Sequence, residues 1–287
     1  MSTHIHKVKQ LRTETGAGVS DCQKALDACK GDIEEAKLWL RKEGIAKAVK
    51  KQDRKTANGV VTSYAKGGVG ALLEVNCETD FVARNERFQE FVLTLLQDVE
   101  NHRVPSLEAL LSHSALNVEE RILEQSGVLG EHIRCSKLGV LEIAPGVVCS
   151  YVHWDSRQNM GAVGALVAIE SELSEEILRP LGESIAMHIV AFSPTYLSIS
   201  EISPEDISKE ESIYRDQLKG SNKPPAIVDK MISGRIKSFF EETVLEEQKY
   251  VKDLSRSVKS HIQELEKVHG KPVKIVKFLR FVLGSDA

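Results

Sequence analysis

Apolar positions near the start of the chain recur at helical spacing. Ile5, Val8 and Leu11 lie three apart and give one short face. Thr15-Gly16-Ala17-Gly18 interrupts it, because paired glycines mark a sharp connection. Ser20 with Gln23 three residues on reads as a capping box that opens a second helix, with Cys22, Ala25, Leu26 and Cys29 on its apolar face and Gly31 as its stop. Asp32 with Glu35 caps a third helix, whose inner face is Ile33, Ala36, Leu38, Trp39 and Leu40 and which Gly44 closes. Three such helices make a marginal domain alone. The following stretch, Arg41 to Lys55, is basic through Arg41, Lys42, Lys47, Lys50, Lys51, Arg54 and Lys55. It reads as a solvated linker, with a contact to an acidic partner surface as the sharper alternative.

The pattern then turns β-rich. Gly59-Val60-Val61-Thr62-Ser63-Tyr64 and Gly70-Ala71-Leu72-Leu73-Glu74-Val75, separated by Lys66-Gly67-Gly68, predict a hairpin. A helix follows with Phe88, Phe91, Val92, Leu95, Leu96 and Val99 on one side. The pattern recurs: Gly146 to Tyr151 repeats GVVxSY, Gly164 to Ile169 echoes GALLEV as GALVAI, and a helix spans Ile177 to Phe192. Between the copies, Leu107 to Gln125 is helical and Gly139 to Ile143 is a strand. Pro204 opens a charged helix through Leu218, Gly220 to Pro225 is a turn, and Ala226 to Phe240 is a second helix, so the pair forms an antiparallel helical hairpin. A helix over Ser257 to Val268 stops at His269-Gly270-Lys271-Pro272, and Val273 to Leu283 is a final strand pairing with the second hairpin. The expected class is α+β, with units at 1–55, 56–140 and 141–287, and the helical hairpin at about 204–240 lying within the last.

Composition narrows the function. At 287 residues with a net charge of -4, the chain lacks the basic balance of a phosphate binder, so direct nucleic-acid binding is not expected. Five cysteines, an odd number with no C-x-x-C spacing, argue against a disulfide framework and a zinc site and fit a reducing compartment. No apolar run reaches the roughly 20 residues of a membrane span, and Met1 to Lys9 resembles neither a signal nor a transit segment. A cytoplasmic location is expected.

Catalytic signals are weak. No Gly-rich phosphate loop and no G-x-S-x-G elbow occurs. His4 and His6 read as part of a frayed end, and His153 and His188 as packed or surface residues without a nucleophile partner. No enzyme activity, catalytic residue, metal or cofactor is expected. The stretch that breaks the local rule is Glu74 to Asn85, which joins the first hairpin to its helix yet sets Phe81 and Val82 beside Asp80. One reading makes Asp80 a cap and Phe81 a staple in the core. The other projects Phe81 outward as an anchor into a partner's pocket, with Asp80 beside it competing for a charged ligand shell. The residues alone favour the staple. The second copy, whose corresponding loop is Glu170-Ser171-Glu172-Leu173-Ser174-Glu175, has no aromatic and points the other way.

Leu11-Arg12, Thr15-Gly16-Ala17-Gly18-Val19, Asp21-Cys22, Lys24-Ala25-Leu26 and Gly31-Asp32-Ile33-Glu34, together with Leu73 to Ala83 and Met187-His188-Ile189-Val190-Ala191, resemble bacterial elongation factor Ts. The resemblance runs from about Lys7 to the last strand, departing at Val19-Ser20, where the family has bulkier apolar residues, and in the Tyr151 to Met160 loop. It implies a three-helix module like a ubiquitin-associated domain, a two-part α+β core with an inserted helical hairpin, and a role as guanine-nucleotide exchange factor in translation elongation. It also implies elongation factor Tu as partner. Thr79, Asp80, Phe81 and Val82 are then expected to disturb that partner's Mg²⁺ shell, and Arg12, Gly16, Ala17, Gly18 and Val19 to grip its nucleotide domain. The helical hairpin is a candidate homodimer surface. Such a role needs linkage rather than an acid, base or nucleophile, because a factor binding the nucleotide-free state more tightly weakens GDP by the same factor. Typical couplings of about 1–3 kcal/mol fall short of what slow nucleotide release requires, so several contacts must act together. Two alternatives stand beside it: an adaptor whose three-helix module binds a small folded protein, and an enzyme with a pocket between the two copies.

Overall fold

The computed structural model describes residues 2–157, 159–218 and 224–285. Helices α1 (Ser2–Thr15), α2 (Val19–Ala28) and α3 (Ile33–Val49) open the chain. Val8, Leu11, Cys22, Ala25, Leu26 and Ala36 meet in a small core of their own, with Trp39 and Leu40 packed on it. Strands β1 (Asn58–Lys66) and β2 (Val69–Cys77) form the first hairpin. A one-turn helix α4 (Asp80–Ala83) leads into α5 (Glu86–His102), followed by α6 (Leu107–Ser112), α7 (Val118–Leu129) and β3 (Arg134–Glu142). The second copy is β4 (Gly146–Arg157), β5 (Met160–Glu170) and α8 (Glu175–Phe192). After it come α9 (Pro204–Gln217), α10 (Pro225–Thr243), the short strands β6 (Lys249–Tyr250) and β7 (Asp253–Ser257), α11 (Val258–His269) and β8 (Lys274–Val282).

The two hairpins share one sheet, ordered β3-β2-β1-β5-β4, with β8 on the other side of β5. The joint is narrow: only Val61 and Thr62 of β1 pair with Gly161 and Met160 of β5. The two halves fold onto each other about it. Val61, Leu72, Leu141, Val148, Leu166 and Ala168 fill the space between them. Their neighbours in sequence point the opposite way. Val60, Ala71, Leu73 and Val75 pack under α5 with Phe88, Val92 and Leu95. Val147, Cys149, Val167 and Ile169 pack under α8 with Leu178, Ile185 and Ile189. Strands buried on both faces need apolar side chains at consecutive positions, which is why GVV and GALL are unbroken runs rather than alternations. Gly164 sits where the halves approach, and a Cβ there would fall 3.0–3.2 Å from Val61, Leu72 and Val152. As expected, β8 pairs with β5, setting Leu279 opposite Leu166. Beyond it the Gly284 N–H donates to the Glu74 carboxylate at 2.9 Å, tying the end of the chain to the first half.

The helical hairpin holds little core. α9 buries nothing, and α10 buries Ile232 and Ile236. Arg215 meets Asp229 across the pair at 3.3 Å. Of the turn expected at Gly220 to Pro225, residues 220–223 lie outside the described residues, and Pro225 already opens α10.

Several expectations are corrected. Ser20 is not a cap: Gly18 precedes α2, and Ser20 lies exposed within its first turn. His4 and His6 lie on α1. Leu38 points outward, because it lies two residues from Ala36 and so about 200° round the helix. Gly44 does not close α3, which runs on to Val49. The basic stretch is therefore not a solvated linker throughout. Arg41 meets Glu120 at 2.9 Å and also pairs with Glu124, both on α7. Leu107 to Gln125 is two helices broken at His113–Asn117, and the Tyr151 to Met160 loop is largely strand. The short strands β6 and β7 were not foreseen.

Candidate functional site

The joint between β2 and α5 is braced from beneath. After Cys77 the chain stays extended through Thr79, with φ -125 and ψ 157. The Glu131 carboxylate, arriving from the end of α7, accepts the Glu78 N–H at 3.1 Å, the Thr79 N–H at 3.0 Å and the Thr79 hydroxyl at 2.5 Å. Glu78 returns the contact by accepting the His132 N–H at 2.7 Å, and Arg54 lies 3.4 Å from it. Burial pushes the Glu78 carboxyl up, but the His132 N–H and Arg54 outweigh it and hold it below its ordinary value. Bonds between a carboxylate and backbone N–H groups are among the stronger ones.

Thr79 then caps α4, its Oγ1 accepting the Val82 N–H at 3.3 Å. Asn85 caps α5 through the Arg87 N–H at 2.9 Å. On a single turn between two caps, side chains divide sharply. Val82 and Ala83 turn inward onto the cluster that holds Phe88. Asp80 is exposed, and Phe81 is 83% exposed. The staple reading fails on both counts: the cap is Thr79, and the residue that tucks in is Val82. Leaving a phenylalanine in water forgoes about 1.5–3 kcal/mol of burial. Cys77 beneath is no nucleophile, since burial, with Glu131 nearby, pushes its thiol up to about 12.

The second segment is the turn between α1 and α2. Gly16 takes φ +73, a conformation that suits glycine, and its N–H donates to the Arg12 carbonyl at 2.8 Å. Thr15 Oγ1 accepts the Ala17 N–H at 3.3 Å. Arg12, Gly18 and Val19 are exposed, and Ala17 is half-buried in the module's own core. Gly16 is exposed as well but faces α5: a Cβ built on it would fall 1.8 Å from Arg87 Nη1. Arg87 is in the first turn of α5, just after the braced joint. The fold thus brings both expected segments to the amino end of α5. Sequence reasoning missed Glu131 and Arg87, because partners so distant in sequence leave no local pattern.

Packed apolar side chains fill the space between the two copies, the place the enzyme alternative needs for its pocket. His188 is fully buried, with Nδ1 accepting the Val251 N–H at 3.2 Å and Nε2 2.9 Å from Gln248 Oε1. Among the described residues no cluster of His, Cys, Asp and Glu could hold a metal, and no helix is long and apolar enough to cross a membrane.

The family model for elongation factor TS matches residues 78–285, from the braced joint to the end of the described chain. The chain belongs to the elongation factor Ts family. Elongation factor Ts of Ehrlichia ruminantium is 41% identical over 288 residues, covering 99% of this chain and 100% of that protein. Elongation factor Ts of Rhodospirillum centenum is 40% identical over 97% of this chain and 92% of its own length. Elongation factor Ts of a Wolbachia from Brugia malayi is 40% identical over 97% and 98%. These matches extend the likeness through the amino-terminal helices. Membership in the elongation factor Ts family places the chain in protein biosynthesis, with a role in translation elongation.

Proposed function

We propose that the chain binds elongation factor Tu and speeds release of its GDP, with Phe81 and Asp80 as the wedge and the Arg12 to Val19 turn as a second grip. The observation that carries this reading is Phe81, a large apolar side chain 83% exposed on a capped and cross-braced turn. A loop tip of that kind fits a pocket in a partner. Rigidity matters because a wedge that ordered only on binding would lose part of its free energy to ordering.

The factor acts through binding alone. Asp80, brought beside a metal-bound nucleotide, repels phosphate and competes for the cation's shell. Phe81 occupies space that the partner's nucleotide-bound form needs. Val82 holds the turn on the core, and Thr79 sets its direction. The first three helices serve as a ubiquitin-associated-like docking module, on a core of two hairpin-plus-helix halves. The exposed Ile213 and Ile227 of the helical hairpin are the surface offered to a second copy. The setting is the cytoplasm.

Labelled GDP preloaded on elongation factor Tu should leave faster when substoichiometric amounts of the chain are added. Release unchanged at equimolar protein would sink the reading. The adaptor alternative predicts that full-length chain captures a small folded protein through residues 1–55 while GDP release stays at its spontaneous rate.

A further inference from the structure

The amino-terminal module does not hang from a flexible tether. Arg41, Gly44 and Ala48 form one stripe of α3, spaced three and four residues apart, and Ala48 is buried. Glu120, Glu124 and Gly127 form the matching stripe of α7. Arg41 meets the two glutamates, Gly44 meets Gly127, and the Lys51 ammonium reaches the Gly130 carbonyl. Positions advance together on both helices, so the two run in the same sense. At the crossing there is no side chain on either side. The approach is asymmetric. A Cβ on Gly127 would fall 2.6–2.7 Å from the backbone C, Cα and O of Gly44, whereas one on Gly44 would meet nothing nearer than the Gly127 Cα at 3.4 Å. The first is a backbone collision that only moving a helix relieves. The second is an ordinary contact.

We infer that Gly127 is a positioning residue: by letting α3 lie directly on α7 it fixes the Arg12 to Val19 turn at a set distance from Phe81, so both engage one partner at once. The inference rests on the exchange reading above and specifies what makes its two grips cooperate. Two contacts held at the right spacing act with a high effective concentration, and that gain vanishes when the geometry no longer spans both sites. Residues near the crossing agree: a cavity of about 210 Å³ at this seam is lined by Ala17 and Gly18 of the turn as well as by Trp39, Glu124 and Val128. A shift of α3 therefore shifts the turn.

The asymmetry makes the test sharp. Helix propensity favours alanine over glycine at both positions, so propensity alone predicts gains from both changes. Positioning predicts that Gly127→Ala lowers the exchange rate constant per mole at least about tenfold, as loss of one of two linked contacts does, while Gly44→Ala leaves it within about twofold. Amide hydrogen exchange should show faster exchange across Gly44 to Val49 in Gly127→Ala and unchanged protection in α5 and α8. A full-length Val19→Asp chain, with the turn's own contact spoiled, should lose nothing further when Gly127→Ala is added, because coupled sites are non-additive. A second route avoids the glycines: Arg41→Glu should weaken exchange, and adding Glu124→Arg to it should restore much of the loss. Equal losses from Gly44→Ala and Gly127→Ala, full additivity with Val19→Asp, or normal exchange in Gly127→Ala would each overturn the inference. Should the unaltered chain fail to release GDP, the exchange reading falls, and amide protection in Gly127→Ala alone still decides whether this glycine holds the module in place.

Discussion

The two copies of hairpin and helix invite comparison at the joint where strand meets helix. In the second copy β5 passes to α8 through residues 171–174. There Ser171 is buried, its hydroxyl donating to the Pro272 carbonyl at 2.7 Å and accepting the Leu173 N–H at 3.2 Å, and Leu173 packs against the core. In the first copy the same joint takes residues 78–85, adds a turn of helix and two caps, and turns its aromatic residue outward. The frames are alike, as are the packed faces beneath α5 and α8. One joint only closes the fold, whereas the other is lengthened and braced to display a side chain. Evolutionary reuse of a frame is compatible with new function when the change is confined to a loop carried on rigid elements.

If the frames are equivalent, core truncations should hurt both alike. Phe88→Ala should cost about 3–5 kcal/mol of folding stability by denaturant melts, and Leu178→Ala near the start of α8 about 2–5 kcal/mol, both side chains being fully buried. A cost below about 1 kcal/mol at either would show that one copy contributes little to the core. The contrast sharpens at the tip. Phe81→Ala should leave stability within about 0.5 kcal/mol, yet slow catalysed GDP release by a factor matching about 2 kcal/mol, as central aromatic anchors do. Normal exchange from a destabilised protein would reverse that assignment.

The brace separates tip from frame more finely. Thr79→Ala removes the cap and one donor to Glu131, and about 1 kcal/mol of stability should go with it. On the proposed reading, exchange per folded molecule should also fall, because the turn that carries Phe81 loses its direction, whereas Ser171→Ala in the second copy should destabilise without touching exchange per folded molecule. Equal effects of the two on exchange would erase the distinction between the joints.

The smallest effect concerns acid, and it belongs to the second copy. Burial holds His188 below its ordinary 6.5, with the Gln248 contact opposing the shift in part. Its Nδ1 accepts a backbone N–H, so the folded form disfavours the cation. The unfolded chain therefore binds the proton first, and stability that is complete above pH 6.5 declines as pH falls below it. His188→Gln should flatten that decline in melts between pH 7 and 5. Phe81→Ala should leave it unchanged.

Much of this was legible in the residues. Gly-bounded β-rich runs, the repeated GVVxSY and GAL segments, the Asp32 cap and the final strand all express short-range rules, in which a pattern of side chains selects a strand, a helix or a turn. The odd placement of Phe81 was legible too, as a large apolar residue where a polar connection belonged. Its direction was not. The residues alone favoured the staple, because which side of a one-turn helix faces water depends on where its caps and its brace lie, and the brace is Glu131, far along the chain. Gly44 failed as a helix stop for the same reason. A glycine in a helical pattern reads as a breaker when only its neighbours in sequence are counted, and as a contact when another helix lies against it. Local sequence thus determined the elements and their inner faces. Tertiary packing decided what fills the space between the sheet halves, which apolar side chain is left in water, and how the first three helices sit on the rest. Those outcomes depend on atoms that share no window of sequence and meet only after the chain has folded.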